Sequence, residues 1–468
     1  MKPLGLLRTP SGPLKPKPTN WKRLLSLGNR HLVSTGEVKA RYYTLASVST
    51  MLAWGLEYYD IIVFATLSQI LENVFRLSLV TTWFAFAITY FARPLGALIF
   101  GYLGDRFGRR ATTAIDAALM GLASLAIGLL PTYAQIGIAA PIALYVIRLI
   151  QGIGLGGEAG GGATWALEQV NPKWKPLLNG VMYSGLSWAV FLAGAISILV
   201  EGSIGYTAFA TNGWRILFYI GAVLALVAFV IRIFGIESPE WLRAKESGSL
   251  KPVPLASRRV WGINMLILIL INLGLTIYYY GGLGYWPYVL PRIIAPSLGV
   301  SVKAASTYAY MLTVYGGIGA VVGEVLSGLI VLKTGIRGSF LYPAILLALT
   351  APPAVYLAFT LSPSAYYASL ITGILFGLAA APQTMYFTAL FPVESRWSAV
   401  SLGWNINAAI GPFGSLALAL LVKATVGSPH SYIAGSLIMM LGALLVVVGS
   451  LIKPSNLYAK PGEFYIHK

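Results

Sequence analysis

Apolar residues along this chain come in long unbroken runs, not in the short alternations of a sheet. Twelve runs can be drawn, at approximately 45–71, 80–103, 111–130, 140–165, 177–200, 214–236, 261–286, 306–332, 338–360, 365–390, 398–422 and 431–452. They end at glycine, proline or charge, as in Leu130-Pro131-Thr132 and Ser362-Pro363-Ser364. About 20 helical residues cross roughly 30 Å of hydrocarbon. The pattern therefore predicts an all-α integral membrane protein of twelve transmembrane helices. The longest polar break inside the apolar region follows Gly235 and runs to about Arg259, which divides the spans six and six. The expected organisation is a basic, Pro-rich tail (1–44), a first six-helix bundle (45–236), an interdomain loop (237–260), a second bundle (261–452) and a short tail (453–468).

Charge fixes the orientation. With both termini in the cytoplasm, interior segments hold 26 of the 33 basic residues and exterior ones only five: Arg76, Arg215, Arg292, Lys303 and Lys423. The net charge of +18 is then a matter of topology and of attraction to anionic lipid, so no nucleic-acid partner is expected. The first 44 residues lack an apolar core of signal-peptide type. A multi-pass protein of the cell membrane follows, with the lipid bilayer as its surroundings and a monomer as its expected state.

Composition narrows the chemistry. Residues are 57% hydrophobic and 10% charged, against roughly 25% charged in soluble domains; mean hydropathy is +0.74. Cysteine is absent, and the histidines are His31, His430 and His467, far apart in sequence. No metal site or cofactor is expected, and an enzyme has no visible catalytic cluster.

Ionisable residues inside spans are expensive and mark function or a partner. Glu57 and Asp60 fall in span 1, Arg93 in span 2, Asp116 in span 3, Arg148 and Glu158 in span 4, and Glu324 in span 8. At 1.5 Å per residue, Asp60 and Arg148 reach depths that agree within several Å. The pair reads either as a proton-carrying acid tuned by an arginine or as a static tie between spans 1 and 4. Glu57 and Glu324 are further candidates for proton coupling. Glu324 could equally contact a cationic substrate group or pack as a protonated acid. Arg93 either reads a substrate carboxylate or ties helices together. Tyr59, Asp60, Arg93, Arg148, Tyr279, Gln383, Tyr386 and Asn405 are the candidate substrate contacts. Asp116 is expected to face the arginines of the loop after span 2.

That loop, Gly101-Tyr-Leu-Gly104-Asp105-Arg106-Phe-Gly108-Arg109-Arg110, packs one acid among three arginines. It suits a charged latch at the water line, made in one gating state and broken in the other, with Asp105 and acids ending other spans, such as Glu168 and Glu237, as partners for its arginines and Glu158 as a gate or packing residue on the inner half of span 4. A worn copy lies between spans 8 and 9, Gly328-Leu-Ile-Val-Leu332-Lys333-Thr-Gly335-Ile336-Arg337, where leucine stands in the acid's place. Such an echo predicts two related halves with a substrate site between them near the bilayer midplane.

The G-x-L-x-D-R-x-G-R-R loop resembles the signature loop of the major facilitator superfamily. The W-x-x-E-Y-Y-D stretch of span 1, Phe91-Ala-Arg93-Pro94-Leu95-Gly96, Arg148-Leu-Ile-Gln151-Gly152-Ile-Gly154-Leu-Gly156-Gly157-Glu158, Gly213-Trp214-Arg215 and Tyr285-Trp286-Pro287-Tyr288 resemble its metabolite:proton symporter branch. The resemblance implies the major facilitator fold and import of a small organic acid or zwitterion with protons by alternating access. It associates Arg148 with proton coupling and places Asp105 against the start of span 11, near Ser398. The alternatives are a proton-independent facilitator or sugar porter, and a transporter-like membrane sensor.

Overall fold

The computed structural model describes residues 40–250, 262–282, 286–426 and 430–467. The basic tail through residue 39, loop residues 251–261, and Gly284 and Tyr285 of the expected span 7 lie outside them. Regular structure among the described residues is helical throughout. The first half holds α1 (Ala40–Thr66), α2 (Leu79–Phe107), α3 (Arg109–Leu129), α4 (Ala139–Leu167), α5 (Lys175–Ile204, interrupted at Ser184) and α6 (Trp214–Phe234). The second holds α7 (Ile263–Gly281), α8 and α9 within Val302–Phe359, α10 (Ala365–Leu390, interrupted at Ala381), α11 (Arg396–Thr425) and α12 (His430–Leu451).

Among the described residues nine helical stretches are long and apolar enough to cross a membrane. One of these spans two helices, because the chain turns at Gly335 between α8 and α9. With α1 and α11 the total is twelve. The apolar run predicted to reach residue 71 overshoots α1. It continues into a separate amphipathic helix, Ser68–Phe75, after a break at Leu67.

The two halves repeat one another in detail. Gly108, between α2 and α3, and Gly335, between α8 and α9, occupy corresponding places in the two loop sequences. Both have positive φ, 122° and 74°, a region that glycine enters without a Cβ penalty. The closest helix pairs also correspond. A Cβ at Gly156 of α4 would sit 2.1 Å from the carbonyl oxygen of Arg93 in α2; one at Gly323 of α8 would sit 2.0 Å from that of Ile374 in α10. In membranes such small-residue contacts let backbones approach and gain dispersion energy. The sequence echo is therefore matched by an echo in packing.

The halves meet along α2 and α4 against α11, and along α5 against α8. At the end that carries Asp105, residues 453–467 fold back across both halves. Tyr458 N–H donates to Ala389 O (2.7 Å) in the second half, and Tyr465 Oη to Pro172 O (3.1 Å) in the first.

Candidate functional site

Between the halves lies a cavity of about 80 Å³. At roughly 10–15 Å³ of such space per water, it has room for about five to eight water-sized groups. Tyr58 of α1, Tyr90 and Arg93 of α2, and Tyr183 and Ser187 of α5 line it from the first half. Tyr279 and Asn272 of α7, Glu324 of α8, Gln383 of α10 and Trp404 of α11 line it from the second. The wall is thus mostly aromatic, with a few convergent polar groups, as expected of a small-molecule site.

Glu324 is the acid contributed by the second half. It is buried, and Ser187 Oγ donates to its Oε1 across the interface at 2.8 Å. Its Oε2 has no hydrogen-bond partner among the described residues. Gln383 accepts from Asn272 Nδ2 at 2.9 Å and donates to Tyr183 Oη, again across the interface. Toward the end opposite Asp105, the hydroxyls of Tyr90 and Tyr280 meet at 3.0 Å and join the two halves.

Arg93 is held on two sides. Its Nη1 lies 2.5 Å from Glu57 Oε1, and its Nε donates to Asn405 Oδ1 at 2.7 Å. Asn405 in turn donates to Gly156 O at 2.8 Å. The ion pair is buried on both sides, so each charge relies on the other. Asn405 acts through Arg93 and α4 and does not line the cavity.

Asp60 and Arg148 were expected to pair directly, but they form no ion pair. Gln151 stands between them: its Nε2 donates to Asp60 Oδ2 at 2.6 Å, and its Oε1 accepts from Arg148 Nη1 at 2.8 Å. Ser124 Oγ donates to Asp60 Oδ1 at 3.0 Å, and the Arg148 guanidinium lies 4.2 Å over the Phe64 ring. An amide thus carries the interaction that a direct ion pair was expected to make. This cluster lies within the first half and does not line the cavity. Tyr59 is also outside it, with its Oη donating to Leu217 O (3.0 Å) in α6. Tyr386 packs against Phe340, 5.8 Å between ring centres, within the second half.

The charged loop after α2 meets α11. Asp105 accepts from Ser398 N–H (3.0 Å), Ser398 Oγ (2.6 Å) and Trp397 N–H (3.2 Å) in its first turn. A carboxylate there satisfies orphan donors and faces the positive end of the helix dipole. Gly101 and Gly104 make room for the approach: a Cβ at Gly104 would overlap the Trp397 ring. Arg109 pairs with Asp105, reaches Glu168 (3.4 Å), and donates to Val393 O (2.7 Å) in the second half. Glu168 also takes Arg396 (2.9 Å), so it links both halves.

Two expectations for the latch are revised. Arg106 is exposed and donates to Tyr102 Oη, with no acidic partner among the described residues. Glu237 caps α3, accepting from the backbone N–H groups of Arg109 (2.9 Å) and Arg110 (3.1 Å), while the Arg110 side chain donates to Gly235 O. Glu158, expected as a gate or packing residue of span 4, takes a bidentate pair from Arg232 of α6 (2.6 and 2.7 Å).

The seal has a second layer in which Glu240 takes both Arg396 and Lys460, the latter at 2.7 Å. Burial alone would raise the Glu240 carboxyl, but Arg396, Lys460 and Lys175 hold it well below the usual carboxylate range. Lys175 pairs with Glu463 at 2.5 Å.

Several of these residues were not singled out from sequence. Tyr58 shares a helix face with Trp54 and Ile61, at a spacing of four and three, and that periodicity distinguishes it from Tyr59. Arg232 sits in the last turn of α6 and reads as loop charge. Lys460 and Glu463 carry no sequence signal for docking.

Two helical halves around a buried, largely aromatic cavity, sealed at one end by ion pairs, have the architecture of a membrane transporter. The family model described as Major Facilitator Superfamily matches residues 43–415, and the chain belongs to that superfamily. It is 28% identical over 375 residues to the inner membrane metabolite transport protein YhjE of Escherichia coli (strain K12), covering 78% of this chain and 84% of that protein. It is 24% identical over 418 residues to the proline/betaine transporter of Salmonella typhimurium, covering 86% and 81%. Among solved structures, the proton:xylose symporter XylE bound to 6-bromo-6-deoxy-D-glucose aligns with a TM-score of 0.69 at 18% identity, covering 88% of this chain and 95% of that one. An inward-open structure of XylE from E. coli aligns at 0.62 and 18%, covering 91% and 99%.

Proposed function

We propose that this chain imports a small zwitterionic or anionic metabolite together with protons, by alternating access, across the cell membrane. Both termini then face the cytoplasm and the Asp105 end is the inner gate. The observation that carries the reading is the pair of opposite charges on facing walls of one cavity. Glu324 offers a carboxylate oxygen without a partner, among aromatic rings whose faces attract cations. Arg93 stands on the other half, balanced by Glu57. A zwitterion places its ammonium toward Glu324 and its carboxylate toward Arg93. A metabolite transporter and a proline/betaine transporter among the relatives are in keeping with such a substrate.

Glu324 and Asp60 are the acids we assign to proton coupling, Asp60 with Arg148 acting on it through Gln151. The test is proton movement in proteoliposomes while organic acids, betaine-like zwitterions and sugars are added in turn. External alkalinisation with zwitterions or organic acids is expected. No pH change during demonstrated uptake of such a solute would overturn proton coupling. Asp60→Asn and Glu324→Gln are each expected to abolish proton-driven accumulation, and Asp60→Asn to spare exchange. Full accumulation by either variant removes that acid from the mechanism.

A second reading, a carrier of neutral polyols or sugars, is favoured by the amides of Gln383 and Asn272 beside the Trp404 ring. Alkalinisation or uptake with sugars alone would select it.

A further inference from the structure

Behind the seam between α4 and α11 lies a charge cluster that the transport reading leaves unused. Asp116 of α3 is fully buried, and neither carboxylate oxygen has a hydrogen-bond donor among the described residues. Its carboxyl lies against that of Glu158, with Arg232 and, more distantly, Glu57 as the other charges acting on it. Glu57 is already neutralised by Arg93. Both Glu158 oxygens are taken by Arg232, whose Nη1 also donates to Thr113 O at 2.8 Å. Arg232 Nε is buried and lacks an acceptor. Room for the Asp116 carboxyl comes from α4, where a Cβ at Gly157 would sit 2.9 Å from its Oδ2.

Two buried carboxylates against one arginine leave a net negative charge, which is costly in a medium of low dielectric. Two ionised carboxylates are acceptors only and cannot bond to each other; one proton converts the contact into a carboxyl–carboxylate hydrogen bond. We propose that Asp116 and Glu158 form a proton-binding site, occupied while the Asp105 end is sealed. The site sits about 10 Å in from the start of α3 at 1.5 Å per residue. On its far side, α4 carbonyls hold α11: Trp397 Nε1 donates to Gly157 O (3.0 Å) and Asn405 Nδ2 to Gly156 O. Parting of α4 from α11 admits water next to Glu158. The proton then leaves Asp116 for that water, and the spare Nε–H of Arg232 becomes available to the new carboxylate. The proton's use in transport rests on the proposed symport; the site itself does not.

Infrared difference spectroscopy of the full chain in liposomes, without substrate at pH 7, tests the site directly. The wild type minus Asp116→Asn spectrum is expected to show the C=O stretch of a protonated carboxyl, lost in the variant. Glu158→Gln is expected to lose the same band, because Asp116 then ionises against Arg232. No band difference with Asp116→Asn overturns the proposal. If that variant fails to fold, persistence of the band in Glu158→Gln overturns it instead, since burial alone would then account for the proton. A chain that shows both losses yet moves no protons with any substrate would sink symport and leave the site standing.

Discussion

Arg93→Ala would leave Glu57 buried beside nothing that can balance it. Breaking a buried pair on one side costs about 3–5 kcal/mol, whereas replacing both partners is often close to neutral. The single variant is therefore expected to melt well below wild type, and Arg93→Gln with Glu57→Gln together to recover much of the loss. A double variant no more stable than the single would show that Arg93 serves the fold through Asn405 alone. At this scale the sequence revealed the acids and arginines inside spans, because charge in an apolar run cannot be mistaken. It concealed which of them touch. Depth matching brought Asp60 and Arg148 to the same level but could not see Gln151 between them. A glutamine three residues after an arginine has no distinctive pattern.

Helix ends and turns carry the seal at the Asp105 end. The α2–α3 loop was readable because a glycine at positive φ, an acid and arginines at fixed offsets leave a dense motif. Its contact with α11 was suggested by family resemblance and not by spacing. The layer behind it, built on Glu240, was not legible, since a glutamate in a polar loop looks like any solvated charge. Glu240→Gln removes the acceptor for Arg396 and Lys460, and hydrogen bonds to charged groups contribute about 1.5–3 kcal/mol. The Glu240 carboxyl is depressed in the folded state. Its contribution is thus fully present above the unfolded value of about 4.3 and is lost as pH falls toward the folded one. The stability gap between wild type and this variant is expected to stay constant from pH 8 to 5 and to shrink only in stronger acid. A gap that closes between pH 7 and 5 would contradict this.

For the molecule as a whole, twelve spans and a six-plus-six division followed from run lengths and one polar break, because a bilayer sets a minimum apolar length for every helix that crosses it. The cavity did not follow, since its lining draws on seven helices and depends on how the halves meet. The return of residues 453–467 across the sealed end was also hidden. Deleting 454–468 strips Lys460 from Glu240 and Glu463 from Lys175. The expected result is a lower melting temperature and a faster reaction of Thr388→Cys, at the buried floor beneath this segment, with a water-soluble thiol reagent. The chain has no native cysteine, so that label reports one place only. Unchanged labelling would mean that the seal stands without the returning segment.

That returning segment also sets an order of assembly. Residues 458–466 leave the ribosome after every span has been made, yet Lys460, Glu463 and Tyr465 bond to partners in the first half. During synthesis the bundle can insert and pack, but its Asp105 end lacks these last fastenings until translation has passed them. A newly made chain therefore enters the bilayer with this end of the bundle unfastened, and is buttoned there last.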